Sequence, residues 1–276
     1  MTKTVDRFPG VPPQLREILD SHPELAGMKE ALPGFQPERR TVTPPDPAVP
    51  AESPFVLLYL YTEDPFGEYE WTNKPKDAWL STDVGHGLGF GAITEKPVIK
   101  EPGKRPKRRP DLFDFIGWHV ASRKFVEVIE RFDPGVVTTQ PIEWKFGGAS
   151  TEDFVFFDIN RLVDAYDYRR SVLDVDFAHG RRNLHDLNFP RALKPGAGNG
   201  QHIFRDYYRR HEILVSRELA TALVKSGMRG IRFNDLATGR TLELSHAEYG
   251  ELYRRYWWRF PGPLFELALD WFRKKP

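Results

Sequence analysis

Carboxylates are the most concentrated group in this sequence that could do chemistry. They lie between residues 152 and 176, interleaved with arginines, a mixture that suits general acid–base work, metal binding or a charged contact with another protein. Acid–base work needs a cleft and two carboxylates with separated pKa values, which this spacing does not display. Structural ion pairs and a protein-contact surface therefore stay open. The carboxylates are Glu152, Asp153, Asp158, Asp164, Asp167, Asp174 and Asp176, and the arginines are Arg161, Arg169 and Arg170.

Histidines and serines form weaker patterns. The eight histidines show no i, i+4 spacing of a helical zinc site, although a metal site assembled by the fold stays open. Ser122 and Ser216 lack the flanking glycines of a hydrolase nucleophile, and we interpret both as helix caps. We predict no catalytic residue, no metal and no cofactor. The alternative is a metal-dependent or acid–base enzyme using Asp and His of the 150–211 region. The histidines of that region are His179, His185, His202 and His211.

Four glycines alternate with other residues in GHGLGFG at 85–91, a segment that partly resembles a phosphate-binding loop. Its spacing is GxGxGxG instead of GxGxxG. Pro97 also follows too soon for a helix whose amino end would bind a phosphate. We therefore interpret the segment as a turn or bulge.

Aromatic and basic residues alternate at 207–210 (YYRR) and 253–259 (YRRYWWR), as in grooves that bind single-stranded nucleic acid. Six further basic residues lie in a predicted loop at 100–110. However, 40 Lys and Arg balance 39 Asp and Glu, so the net charge of +1 provides no general attraction to nucleic acid. A nucleic-acid-binding module is thus a second alternative, because protein interfaces favour the same residue types.

Cysteine is absent from the 276 residues, which excludes disulfides and thiolate sites and suits a reducing compartment. The N-terminus has no apolar stretch of signal-peptide length. No run of about 18 apolar residues is present that could span a bilayer. We predict a cytoplasmic protein with no membrane partner.

Proline divides the chain, because eleven of the 24 prolines precede Phe55. We predict a Pro-rich N-terminal arm at 1–54 and a single domain at 55–276. Within the arm, 13–20 (PQLREILD) has the spacing of a short amphipathic helix, which either docks on the body or belongs to a flexible tail. FVLLYLYT, from Phe55, predicts a strand, and 263–273 (PLFELALDWFR) predicts a helix that packs on the core.

A near repeat lies in the domain. WHVASRKFVEVIE, from Trp118, and EILVSRELATALVKSGMRGIRF, from Glu212, each have an apolar strand, a Ser-Arg pair and an amphipathic helix pattern. Ser122 and Ser216 are placed as N-caps, and Gly227 as a C-cap before a return strand. The predicted buried stripes are Phe125, Val126, Val128 and Ile129, and Leu219, Ala222, Leu223 and Val224. Two similar strand–helix units predict an α+β fold, with a mixed or antiparallel sheet and packed helices.

The segment between the units predicts a hairpin. PIEWKFGG is its first strand, Gly147-Gly148 its turn and residues 154–159 its second strand. Residues 178–202, rich in Gly, Asn, Arg and His, predict a long loop, and a strand is expected near 202–205.

The order of these motifs resembles a known family. FIGWHVASRKFVEVIE, PIEWKF, FVFFDINRLVDAYDYRRS and HIFRDYYRRHEILVSRELATALVKSGMRGIRF are similar to the bacterial polymorphic-toxin immunity proteins of immunity family eleven. The resemblance covers a family-like core at about 111–235. It implies an α+β protein that binds a toxin or effector encoded nearby and neutralises it by occlusion, without catalysis. It carries over no inhibitory residue.

The VDAYDYRRS segment supplies the candidate toxin contacts. Interfaces use aromatic and arginine anchors together with locally complementary charge, and this segment holds both. The candidate residues are Asp164, Tyr166, Asp167, Arg169 and Arg170.

Overall fold

A computed structural model describes most of the chain. The described residues are 12–25, 27–28, 38–44, 53–62, 69–74, 87, 89–91, 93–101, 110–115, 118–178 and 181–242. Three segments discussed above lie wholly or mostly outside these residues. They are the predicted basic loop at 100–110, the YRRYWWR segment at 253–259 and the predicted helix at 263–273.

The described residues form helices and many short strands, which confirms the α+β prediction. The helices are α1 (Pro13–Ser21), α2 (Arg123–Phe132) and α3 (Arg217–Lys225), with a 3-10 turn at Pro23–Leu25. The strands are β1 (Arg39–Val42), β2 (Phe55–Thr62), β3 (Glu70–Trp71), β4 (Val98–Glu101), β5 (Leu112–Phe115), β6 (Trp118–Ser122), β7 (Val137–Pro141), β8 (Glu143–Phe146), β9 (Ala149–Thr151), β10 (Phe154–Ile159), β11 (Leu162–Val163), β12 (Val172–Ala178), β13 (Arg181–Asn188), β14 (Ile203–Asp206), β15 (Ile213–Ser216) and β16 (Ile231–Asp235).

A mixed nine-stranded sheet forms the centre of the molecule. Its order is β11-β14-β15-β2-β5-β6-β10-β7, and β16 pairs with β2. β10 lies near one end of this order and runs almost directly into β11 at the other end. The Arg205 amide also donates to the Arg161 carbonyl at 2.9 Å, beside β11. Residues 154–163 therefore connect the two ends of a strongly curved sheet.

Alternate residues of β2 belong to different cores, as expected for a strand covered on both faces. Val56 and Leu58 pack with α2 and α3, whereas Phe55 and Leu57 pack with α1 and the three-stranded sheet β1-β12-β13. A third core joins the nine-stranded sheet to the small sheet β3-β4-β8-β9 through Trp144. α1 and α2 consequently lie on opposite faces of the central sheet.

The two predicted strand–helix units are confirmed. The Ser122 hydroxyl accepts from the Phe125 amide at 3.2 Å, and the Ser216 hydroxyl accepts from the Leu219 amide at 3.1 Å. Gly227 follows α3 with φ +68°, and β16 returns to the sheet. The buried helix positions are Phe125, Val128 and Ile129, and Leu219, Ala220 and Leu223. Val126, Ala222 and Val224 are only partly buried.

Two expectations about the intervening segment are wrong. β8 pairs with the short β9 across Gly147-Gly148, whereas β10 pairs with β6 and β7. β10 is buried at all six positions, as expected for a strand that lies between two neighbours and is covered on both faces. The predicted loop at 178–202 contains β13, which pairs with β12 and packs through Leu184 and Leu187. Leu184 and Leu187 are three positions apart and the register of the pair shifts between Asp174 and Val175, so the sequence shows no regular alternation for this strand.

Parts of the predicted arm pack on the rest of the protein. Leu15 and Leu19 of α1 are buried at 1% and 3% exposure, so the helix docks as one of the two interpretations expected. β1 pairs with β12 and ends at Val42, before the Pro44-Pro45 pair. The boundary between an arm and a domain at residue 54 stays a prediction.

Candidate toxin-contact surface

The VDAYDYRRS segment (163–171) is held by backbone bonds on two sides. The Tyr207 amide donates to the Val163 carbonyl at 2.8 Å, which continues the pairing of β11 with β14. The Lys194 amide donates to the Ala165 carbonyl at 2.8 Å. The segment is therefore fixed in place although it is not itself a regular strand.

Asp167 and Ser171 stabilise the turn of this segment by hydrogen bonds to the backbone. The Asp167 carboxylate accepts from the Arg169 amide at 3.1 Å, an Asx turn. The Ser171 hydroxyl donates to the Asp167 carbonyl at 2.8 Å and accepts from the Ala192 amide at 2.9 Å. The spacing of Asp167 and Ser171 thus has a local structural cause, and the Asp167 side chain works mainly within the protein.

Tyr166, a candidate contact residue, lies in the interior with no exposed surface. Its hydroxyl donates to the Glu212 carboxylate at 2.5 Å, and Arg191 and Arg209 bind the same carboxylate at 2.8 and 2.6 Å. Burial alone would raise the pKa of Glu212, but the two guanidinium groups and the Tyr166 hydroxyl outweigh it and lower that pKa. Tyr166 therefore supports the segment from inside, and in this conformation its side chain does not reach a partner.

A second buried carboxylate connects the segment to the YYRR motif at 207–210. Asp206 accepts from the Ala165 amide at 3.0 Å and from the Tyr208 and Arg209 amides at 3.0 and 2.8 Å. Burial raises the pKa of Asp206 to about 6, against the lowering effect of these three donors. One carboxylate thereby fixes both chain segments relative to each other.

The side chains that remain accessible form a mixed surface. Asp164, 45% exposed, pairs with Lys194 at 2.6 Å, and Arg169, 57% exposed, pairs with Glu17 of α1. Tyr208 lies close enough to Asp164 for that carboxylate to help raise its pKa, although burial is the larger cause. Arg170 is partly exposed. We define the turn surface as Asp164, Arg169, Lys194, Tyr207 and Tyr208.

The two tyrosines of the turn surface are partly exposed and pack against each other. Tyr207 and Tyr208 meet edge to face, with ring centroids 5.0 Å apart, and the Arg210 guanidinium lies 5.4 Å from the Tyr207 ring. The alternation of these aromatic and basic residues predicted a nucleic-acid groove or a protein interface, and no pattern in the sequence indicated Lys194. Their proximity to 163–171 depends on strand pairing, which no local spacing reveals.

Several of the carboxylates and histidines considered for an enzyme contact other groups of the protein, whereas His179 lies outside the described residues. Asp174 accepts from the Thr41 hydroxyl at 2.7 Å, His185 lies 3.7 Å from Asp176, and the His202 ring lies 3.0 Å from the Ser216 hydroxyl. Within the described ranges, no three of these residue types are arranged to hold a metal ion.

Backbone amides of the glycine-rich segment bind a carboxylate of the protein itself. The amides of Gly87 and Gly89 donate to the Asp158 carboxylate at 2.9 and 3.0 Å, and the Arg205 Nε donates to it at 3.1 Å. Both glycines have positive φ, which agrees with the predicted turn. Asp158 and Arg205 have no exposed side-chain surface, so an internal carboxylate occupies these donors.

One cavity lies away from the turn surface. It has a volume of about 340 Å³ and is lined by the β8–β9 hairpin together with Lys100 and Glu101 of β4. None of the candidate contact residues lines it.

Comparison with models of protein families identifies a family for this chain. The model of the immunity protein family (Imm11) matches residues 23–238, which extends well beyond the predicted core at 111–235 and includes β1 to β16. No curated protein sequence matches the chain. Among the helices described, none is both long and apolar enough to cross a bilayer.

Proposed function

The chain belongs to the Imm11 family of immunity proteins, and from this premise we propose that it neutralises a cognate toxin by binding it at the turn surface. The observation that supports this site is a set of accessible charged and aromatic side chains carried by a rigid buried framework. Asp164, Arg169, Tyr207 and Tyr208 provide the residue types from which interface hot spots are built.

Preorganisation supports tight binding at this surface. The buried carboxylates of Asp206 and Glu212 hold the backbone and the interior side chains behind it. Little ordering entropy is then lost when a partner binds, so more of the interaction energy contributes to affinity. A toxin inhibitor requires such affinity and requires no catalytic group.

The mechanism we propose is occlusion without chemistry. The described carboxylates around 163–171 bind backbone amides, a hydroxyl or basic side chains, a pattern typical of structural bonding. We propose the cytoplasm as the site of action, and a toxin or effector encoded beside this gene as the partner.

Co-expression tests this function. The neighbouring gene is expressed with and without this protein, while toxicity, rescue and co-purification are recorded. We expect rescue together with a stable complex. A neighbouring gene whose product is not toxic would contradict the proposed function. Rescue without a complex, together with substrate turnover by the purified protein, would favour the enzyme hypothesis.

A matched pair of variants locates the contact. Asp164→Ala together with Tyr208→Ala removes accessible groups from the turn surface, whereas Glu127→Ala with Lys225→Ala removes exposed groups from α2 and α3. We expect the first pair alone to weaken the complex. Equal affinity of both variants would place the contact elsewhere.

A further inference from the structure

α1 lies next to the turn surface but outside the region that matches the family model. It spans Pro13–Ser21, whereas the match begins at residue 23. The match therefore does not include this helix, which lies beside the surface that we propose for toxin binding.

The helix is firmly attached. Leu15 and Leu19 are buried in the same core as Tyr166 and Tyr168, so the apolar face of α1 packs into the core that also holds the 163–171 segment. Glu17 also pairs with Arg169 across the boundary between the helix and the turn surface. An ion pair between exposed side chains thus connects α1 with the turn surface.

The outer face of α1 is polar. Gln14, Arg16, Glu17, Asp20 and Ser21 are exposed, and within the described part of the chain neither Arg16 nor Asp20 forms an ion pair. These two residues lie one helical turn apart, so they present one positive and one negative charge side by side.

We propose that α1 is a specificity element, whose Arg16 and Asp20 pair with an acidic and a basic side chain of the cognate toxin. The inference rests on the proposed function, since it assigns part of the same contact. Exposed charges at an interface rim contribute mainly to the encounter rate and to rejection of wrong partners. α1 therefore selects the toxin, while the tyrosines of the turn surface hold it.

Charge exchange provides the test. Arg16→Glu with Asp20→Arg reverses both charges, keeps the net charge and retains an i, i+4 pair of opposite sign in the helix. The control is Glu127→Arg with Arg131→Glu, which exchanges a pair of opposite charges at the same spacing but in the reverse order on α2, on the opposite face of the sheet. Circular dichroism and thermal unfolding verify that both variants are folded.

Binding kinetics are measured against the purified, inactivated product of the neighbouring gene. We expect the α1 exchange to slow association about tenfold at low salt, and the difference to shrink as salt screens the charges. The α2 exchange leaves the rates unchanged. Equal association rates for the α1 variant and the wild type overturn the proposal, as does a loss confined to the α2 variant. If the wild type does not bind at all, the proposed function itself fails.

Discussion

The Tyr166 hydroxyl and the Glu212 carboxylate form a 2.5 Å hydrogen bond inside the protein, joining residues 46 positions apart in the chain. Both side chains are almost fully buried, and Arg191 and Arg209 also pair with the Glu212 carboxylate. Tyr166, which sequence analysis predicted to contact a toxin, is thus a buried residue that supports the segment from inside.

Replacing Tyr166 by Phe should destabilise the fold. The change removes a hydrogen bond to a charged acceptor, which contributes about 1.5–3 kcal/mol. Tyr168→Phe is the control, because the Tyr168 hydroxyl is buried and has no hydrogen-bond partner within the described residues. Chemical denaturation of both variants measures the difference. An equal loss in both would show that the Glu212 bond is not the cause.

The pH dependence of stability should contain a contribution from Asp206. Burial raises its pKa from 3.8 to about 6, so the folded state holds this proton more tightly than the unfolded chain. The resulting stabilisation is complete below pH 3.8 and is lost as the pH rises through about 6, a change of about 3 kcal/mol.

Asp206→Asn does not titrate, and it tests this contribution. Contributions from other groups cancel when the variant is subtracted from the wild type at each pH. We expect the stability advantage of the wild type to decrease between pH 4 and pH 7 in denaturation experiments. An advantage that stays constant or grows with pH would contradict the raised pKa.

Gly230 and Gly227 should respond differently to alanine. Both have positive φ, of +77° and +68°. A Cβ on Gly230 would lie 2.3 Å from the Pro110 Cβ and 2.6 Å from the Leu112 carbonyl oxygen, whereas a Cβ on Gly227 meets no described atom within 4 Å. We expect a loss of about 1 kcal/mol for Gly227→Ala, from backbone strain alone, and at least twice that for Gly230→Ala. Thermal unfolding compares the two, and similar losses would refute the steric argument.

Alanine substitutions of Asp164 and Asp167 should affect different properties, toxin binding in the first case and stability in the second. Asp164→Ala removes an accessible carboxylate, so we expect at least a tenfold weaker toxin complex and nearly unchanged unfolding. Asp167→Ala removes the acceptor of the Asx turn, so we expect a loss of about 1 kcal/mol in stability. Calorimetric titration and denaturation measure the two quantities. Full protection by the Asp164→Ala variant would show that this carboxylate does not contribute to toxin binding.

Predictions from the sequence were reliable where the interactions that form an element lie within one short segment. Ser122 and Ser216 act as caps because each hydroxyl reaches an amide only three residues ahead. The strand at Phe55–Thr62 was predictable because a continuous apolar run suits a strand with two covered faces. β13 was missed because only Leu184 and Leu187 show its buried side within a polar segment.

By itself, the sequence determined the α+β class, the two strand–helix units and the resemblance to an immunity family. Tertiary structure decided which residues of the VDAYDYRRS segment are accessible. Tyr166 is covered because Glu212 and Arg191 arrive from distant parts of the chain, and Arg169 pairs with Glu17, 152 positions away. Burial and charge pairing between remote segments arise only when the chain is folded, so spacing along the sequence does not encode them in a readable form.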